Sequence, residues 1–144
     1  MKQTTRSPRS WFRWLPALLW MGVIFGLSSR TGDQLGGMMP WFQKLLPWMQ
    51  SFDWGHFAAY FILALLLAYG FGRHADNWRI KALVVLLCIL YGITDEYHQS
   101  FVDGRTPDAK DVRNDGIGAL LAMLTLSIPF IRRRWQRLTN SADK

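Results

Sequence analysis

The chain has 144 residues, of which 50% are hydrophobic and 19% are charged, and its formal net charge is +7. The apolar fraction excludes a disordered chain, and a single cysteine, Cys88, excludes a disulfide scaffold and a cysteine-rich zinc site. The mean hydropathy is only +0.03 because charged residues gather at the two ends and in three connecting stretches. This segregation indicates a membrane protein and does not favour nucleic acid as a partner.

Four apolar runs predict an all-α integral membrane bundle of four transmembrane helices, with the lipid bilayer as its surroundings. The runs cover Trp11–Ser28, Gly55–Phe71, Ile80–Thr94 and Gly116–Ile131. A helix that crosses a bilayer needs about 20 residues, so each run is short for a span, and the third is the shortest. The alternative is a soluble domain, but one this small cannot cover helices that are apolar on every side. The predicted spans of a single domain, 1–144, are roughly 11–28, 54–72, 80–101 and 107–131.

The basic residues predict the side of the membrane on which each connection lies. Twelve Lys and Arg residues fall in the N-terminal segment, the 72–81 connection and the C-terminal segment, whereas the remaining connections hold five. Basic residues in short loops mark the cytoplasmic side, so both termini are expected there. No small-residue cleavage site follows the first run, which we therefore interpret as a retained span.

A short interfacial helix is predicted between the first two spans, within residues 31–51. Trp41, Leu45, Trp48 and Phe52 recur at helical spacing, which favours a helix with its rings at head-group depth. Pro40 would begin this helix, and Pro47 would end or kink it. The segment would act as an interfacial anchor or as a lid over a site.

The second predicted span opens with three polar residues on one face. Asp53, His56 and Tyr60 are separated by three and four positions, so they share a helical stripe. A single histidine at the end of a span is usually an interfacial group. Because three polar residues share one stripe here, a ligand-binding face is as good an interpretation as an interfacial group.

The third predicted span must include acidic residues in order to cross. Its apolar part, Ala82–Thr94, has 13 residues, which is about 20 Å of helix against ~30 Å of hydrocarbon. If the helix continues, Asp95, His98 and Gln99 share one face and Glu96 lies beside it. An acid at mid-membrane costs about 2.5–3.5 kcal/mol, so these acids are expected to face a polar cavity. The alternative is a helix that ends before the acids and leaves them in a solvated loop.

The fourth helix is predicted to follow a turn at Asp103-Gly104. Thr106 would cap it and Pro107 would be its first residue. Arg105 lies in the preceding turn, where it could pair with acids or hold an anionic head group.

The same helix carries a stripe of acidic and small residues. Asp111, Asp115, Gly118 and Ala122 follow one another at helical spacing. This pattern indicates a polar pocket lined by the acids at the outer end of the helix. The small residues deeper in the membrane would allow close helix packing beneath that pocket.

Three segments resemble the VanZ-like family of small bacterial membrane proteins: 53–61 (DWGHFAAYF), 95–106 (DEYHQSFVDGRT) and 111–118 (DVRNDGIG). A weaker likeness covers 25–29 (FGLSS). Two positions depart from the family pattern, because the turn lacks a proline before its glycine and Ala122 replaces a glycine. The resemblance implies a multi-pass protein of the bacterial cytoplasmic (inner) membrane with a cell-envelope role related to teicoplanin resistance. It implies no reaction.

Three functions fit an outward-facing polar site. The first, which we favour, is binding of a lipid or envelope-precursor head group, with a contribution to glycopeptide (teicoplanin) tolerance. The second is a membrane enzyme, a hydrolase or transferase, that acts on a lipid-linked or phosphate-bearing envelope substrate with carboxylates and histidines as acid and base, or as ligands of a divalent metal ion. The third is a small transporter component, which would need an oligomer.

The candidate residues divide by role. The catalytic candidates are Asp95, Glu96, His56 and His98. The candidate ligand-binding residues are Asp53, Tyr60, Gln99, Arg105, Asp111 and Asp115. The candidate metal ligands are His56, Glu96 and Asp111.

Overall fold

The computed structural model describes residues 10–45, 47 and 53–141, and over these residues the chain is helical without strands. A 3₁₀ segment, Ser10–Trp14, runs into the first α-helix, and a second 3₁₀ segment, Gly72–Asp76, follows the third. The α-helices are α1 (Leu15–Ser28), α2 (Gly32–Leu45), α3 (Asp53–Phe71), α4 (Trp78–Gln99), α5 (Ala109–Ser127) and α6 (Pro129–Ser141).

Helices α1, α3, α4 and α5 form a bundle in which α3 packs most extensively on α5. Its core is made largely of small and branched side chains, among them Ala64, Val84, Cys88 and Ala119, all fully buried. Large apolar side chains point outward on the same helices, where a lipid phase would cover them. Examples are Leu19, Ile62, Leu86 and Leu124.

Two segments are long and apolar enough to cross a membrane, Trp11–Ser28 and Trp54–Asp76. The pair α5 and α6 qualifies as a third span only if these two helices, bent by 90°, are counted together. Helix α4 does not qualify as a span by this measure, because it carries basic residues at one end and Asp95 and Glu96 at the other. The prediction of an all-helical membrane protein is confirmed. Length and composition identify two or three spans among the described residues, and the number of four spans stays a prediction.

Helix α5 begins at Ala109, two residues later than the start predicted at Pro107. Asp108 caps it in place of Thr106, since its carboxylate accepts a backbone N–H of the first turn at 2.8 Å. The N–H of Asp108 itself donates to Glu96 Oε2 at 2.8 Å. A tertiary contact with α4 therefore holds the residue that caps α5.

The fourth predicted span, 107–131, is broken at Ile128. This residue has an extended backbone because the ring of Pro129 disfavours the helical conformation in the residue before it. Helix α6 then leaves α5 at 90°, so the end of the predicted span belongs to a separate helix.

Helix α2 begins at Gly32, well before Pro40, where the sequence predicted its start. Thr31 and Gln34 form a reciprocal capping box: Gln34 N donates to Thr31 Oγ1 at 3.3 Å, and Thr31 N donates to Gln34 Oε1 at 3.2 Å. Pro40 lies inside the helix, which tolerates it because α2 buries no residue and water can solvate the freed carbonyl.

The interfacial placement of α2 stays a prediction. Trp41 and Leu45 are exposed, as an interfacial helix requires. The helix ends two residues before Pro47, which lies in a turn. Trp48 and Phe52 lie outside the described residues.

The connections 29–31 and 100–108 meet at one end of the bundle, which we call the acidic end. Gly32 N donates to Asp103 O at 3.2 Å. Gly104 has a φ of +71°, a conformation that glycine adopts without strain, and this confirms the turn expected at Asp103-Gly104. The two connections assigned to the outer side thus lie together.

The segments Ser10–Trp14 and Gly72–Asp76 lie with α6 at the opposite end, which we call the basic end. Arg13 joins them, since its Nε donates to Tyr69 O at 3.1 Å and its Nη1 donates to Thr139 O at 3.3 Å. The segments expected to share the cytoplasmic side are therefore grouped at one end, while the sidedness itself stays a prediction.

Candidate functional site

A histidine and a buried carboxylate join α3 to α5 at the acidic end. His56 Nδ1 lies 2.9 Å from Asp115 Oδ1, and the Asp115 side chain is fully buried. Gly92 of α4 makes room for this carboxylate, because a Cβ at that position would collide with Asp115. His56 Nε2 lies 3.7 Å from Asp111 Oδ2, so the ring is placed between two acids.

Two further buried acids stand on the last turns of α4. Asp95 and Glu96 are 5% and 7% exposed. Gln99 Nε2 donates to Asp95 Oδ2 at 3.1 Å and to Glu96 Oε1 at 3.3 Å. These bonds follow from the i+3 and i+4 spacing of a helix, and they hold the two carboxylates together.

Gln99 also connects the acids to Arg105. Arg105 Nε donates to Gln99 Oε1 at 3.1 Å, and Arg105 Nη2 donates to the same oxygen. The guanidinium has donors only, which places the amide oxygen towards Arg105 and the amide nitrogen towards the acids. Arg105 thus contacts the cluster through a neutral amide.

A cavity of about 190 Å³ opens beside this cluster. One wall is apolar and is built from α1 and α2: Ile24, Leu27, Leu35, Met38 and Phe42. The opposite wall is polar: His56, Tyr60, Asp95, Gln99 and Arg105. Within the described part of the chain, two buried atoms of the polar wall have no hydrogen-bond partner: Tyr60 Oη and Asp95 Oδ1.

His98 does not join the cluster, although it shares a predicted helical face with Asp95. Its ring stacks on Phe25 with centroids 4.3 Å apart, and its Nδ1 lies 3.5 Å from Ser28 Oγ. This histidine therefore packs against α1. Asp53 is the first residue of α3, and its side chain lies outside the described set.

Three residues are close enough to hold one metal ion. The ligand atoms of His56, Asp95 and Glu96 all lie within 4.8 Å of one another. The sequence placed Asp111 in this set, whereas the described residues group Asp95 with the other two. A nitrogen and two carboxylate ligands suit a divalent ion such as Zn²⁺ or Mn²⁺.

A protein-family model described as VanZ/LLP1 matches residues 12–131. The chain belongs to the VanZ/LLP1 family. The match includes every residue of the cluster, and together with the apolar helices it makes the chain a membrane protein of the VanZ type. No curated protein and no solved structure matches this VanZ-family chain at a significant level.

Sequence reasoning missed the roles of two glycines that make the cluster of this VanZ-family protein possible. Gly92 accommodates Asp115, and Gly118 lets α5 approach the backbone of Phe57 on α3. Gly118 was recognised as a small residue of a stripe, but its partner was not. A lone glycine within an apolar helix costs about 1 kcal/mol relative to alanine, and this signal at Gly92 could have indicated a close approach.

Proposed function

We propose that this VanZ-family protein binds the phosphate-bearing head group of a lipid or lipid-linked envelope precursor from the outer leaflet of the bacterial cytoplasmic membrane. The observation that carries the proposal is the two-sided cavity, with an apolar wall from α1 and α2 and a polar wall from α3, α4 and Arg105. A lipid presents the same division, because its head group is polar and the adjoining chain is apolar.

The size of the cavity supports a head group as the ligand. Its volume, about 190 Å³, is below the ~300–1,000 Å³ of pockets that enclose a whole drug-sized molecule. A head group would enter, and its acyl or prenyl chain would stay along the exposed apolar faces of α1 and α2. Leu18 and Leu19 of α1 are exposed in this way.

Arg105 is the residue we assign to the anion. It lines the cavity, and in the described residues it bonds to the neutral amide of Gln99 and has no carboxylate partner. A guanidinium can bind phosphate oxygens with two parallel N–H donors. The unpartnered hydroxyl of Tyr60 would supply a further donor.

The proposal includes a topology of four spans with both termini in the cytoplasm. Helix α4 has 22 residues, or about 33 Å at 1.5 Å per residue, which matches the ~30 Å hydrocarbon thickness. Its two acids are buried, with ligand atoms within 4.8 Å of His56 on α3, so the protein shields them from lipid. The acidic end would then face outward, where a glycopeptide such as teicoplanin meets its target, and head-group binding there would contribute to tolerance.

Binding can be measured with dihexanoyl phosphatidic acid added to purified protein in detergent, by isothermal titration calorimetry. We expect Arg105→Ala to weaken binding roughly 10- to 100-fold, because a charge-assisted hydrogen bond contributes about 1.5–3 kcal/mol. Arg30→Ala is the matched control, since Arg30 is exposed and lies outside the cavity. Equal affinity of wild-type protein and Arg105→Ala would contradict the proposal.

Tolerance can be measured in cells as the teicoplanin concentration that stops growth. Cells with the wild-type protein should tolerate more drug than cells with Arg105→Ala at equal membrane abundance. Equal sensitivity at equal abundance would separate head-group binding from tolerance and refute the second part of the proposal.

Catalysis is the second candidate function, and the His56–Asp115 pair favours it. A ring oriented by a buried carboxylate is the arrangement that a general base requires. Incubation of the wild-type protein with a short-chain prenyl diphosphate, followed by a phosphate-release assay, tests this candidate. Release that is lost in His56→Ala but kept in His74→Ala would support it, and no release by the wild type would exclude that reaction.

A further inference from the structure

Carboxylates are concentrated at the acidic end. Four of them gather there, those of Asp95, Glu96, Asp111 and Asp115. Arg105 contacts Asp95 and Glu96 through the neutral amide of Gln99. His56 Nδ1 bonds to Asp115, and His56 Nε2 lies 3.7 Å from Asp111.

Carboxylates that are buried within a bundle in a membrane need partners. Three of the four carboxylates are at least nine-tenths buried: Asp95, Glu96 and Asp115. A divalent cation would be such a partner, because it binds carboxylate oxygens directly.

The placement of His56 is suited to metal binding. Its Nδ1 is bonded to Asp115, which leaves Nε2 as the nitrogen available to an ion. Metal-binding histidines usually have their second nitrogen bonded to a carboxylate in this way, which orients the ring and raises its basicity. Asp115 would thus be a positioning residue and His56 a ligand.

A second observation points to a ligand at the same place. Asp95 Oδ1 and Tyr60 Oη are buried, lack a partner among the described residues and belong to side chains that line the cavity. A carboxylate oxygen in this state is available to coordinate an ion. A hydroxyl in this state is available to a water or phosphate oxygen bound to that ion.

We infer that His56, Asp95 and Glu96 form a binding site for a divalent transition-metal ion, with an open coordination position on the cavity side. Their ligand atoms lie within 4.8 Å of one another, and one nitrogen with two carboxylates suits Zn²⁺ or Mn²⁺ better than Mg²⁺ or Ca²⁺, which prefer oxygen alone. Three protein ligands leave room for an exogenous oxygen. The inference rests on the proposed function in one respect, because this oxygen would come from the head-group phosphate.

The test uses the metal alone. Full-length protein is purified in detergent, stripped with EDTA, dialysed and titrated with Mn²⁺ while the free ion is followed by electron paramagnetic resonance. We expect one Mn²⁺ bound per chain and displacement by Zn²⁺. The absence of saturable binding to the wild-type protein would overturn the inference.

Variants locate the ion. His56→Ala and Asp95→Asn should each abolish saturable binding, and Asp115→Asn should weaken it about 10- to 100-fold as the loss of an outer-shell partner. His74→Ala and Asp103→Asn are matched controls, since both residues are exposed and outside the cluster. If His56→Ala fails to fold, as judged by size-exclusion chromatography, Asp95→Asn provides the same test with an isosteric change. Unchanged binding in Asp95→Asn would overturn the assignment.

Repeating the phosphatidic acid titration with and without EDTA separates the two proposals. Mn²⁺ binding with no lipid binding would leave the metal site standing and refute the proposed function. Lipid binding of equal strength in EDTA, with no Mn²⁺ binding, would leave the proposed function standing and refute the metal site.

Discussion

Helix α5 lies close against the backbone of α3 at Gly118, and adding one methyl group there tests how the cluster is supported. A Cβ at this position would lie 2.5 Å from Phe57 O and 3.2 Å from Phe57 Cα. Both contacts involve backbone atoms, so no side-chain rotation can relieve them. Gly118→Ala must therefore move one helix against the other.

The size of the movement follows from the contact distances. Real Cβ contacts essentially never fall below 3.0 Å, so the helices must separate by about 0.5 Å at this point, and overpacking of this kind costs about 1–3 kcal/mol. His56 precedes Phe57 directly, and the same shift would lengthen its 2.9 Å bond to Asp115 to as much as about 3.4 Å, near the limit for a hydrogen bond. Both the free energy of unfolding and Mn²⁺ affinity should fall.

Unfolding can be followed by tryptophan fluorescence during titration with sodium dodecyl sulfate in mixed micelles. Gly22→Ala is the matched control, because a Cβ there meets nothing within 4 Å, and alanine should be neutral or stabilise the helix by up to about 1 kcal/mol. Gly116→Ala is a second control on α5 itself, since its Cβ would meet only the Ile89 side chain, at 3.2 Å. Equal free energies of unfolding for Gly118→Ala and Gly22→Ala would refute the packing argument.

The remaining predictions concern topology and the basic end. Cys88 is buried and can be left in place for a labelling experiment. Asp103→Cys should react with a membrane-impermeant maleimide added outside cells, and His74→Cys should not. The opposite labelling pattern would overturn the topology. Asp76→Asn removes the ion pair with Arg132, which is partly exposed, so its free energy of unfolding should fall by only about 0–1 kcal/mol. A loss above about 2 kcal/mol in the detergent titration would show that this contact holds α6 in place.

The sequence predicted two helices of the bundle closely. The second and third spans, expected at 54–72 and 80–101, are α3 at Asp53–Phe71 and α4 at Trp78–Gln99. These runs leave little choice, since their side chains need either lipid or a core and a helix satisfies all their backbone groups. The placement of His56 and the acids of α4 and α5 at one end of the bundle was expected from helical spacing together with the order of the predicted spans.

The sequence could not predict features that depend on contacts between helices. Thr106 had the better local signal for capping α5, but Asp108 caps it because Glu96 holds the Asp108 N–H. Helical spacing places His98 on the same face as Asp95, yet the His98 ring stacks on Phe25 of α1 and stays outside the cluster. Local spacing specifies a face to within about one residue, and the neighbouring helix decides which side chains of that face meet.

The charge of the cluster is easier to explain by binding than by packing. If α3, α4 and α5 needed only to be held together, neutral residues would serve, since replacing buried ionic groups by well-packed apolar ones is often neutral or stabilising. Instead, Gly92 leaves space for the Asp115 carboxylate, and one oxygen of Asp95 stays without a partner among the described residues. Buried carboxylates with an available oxygen are what a cation site requires. The cation and Arg105 would together hold an anion.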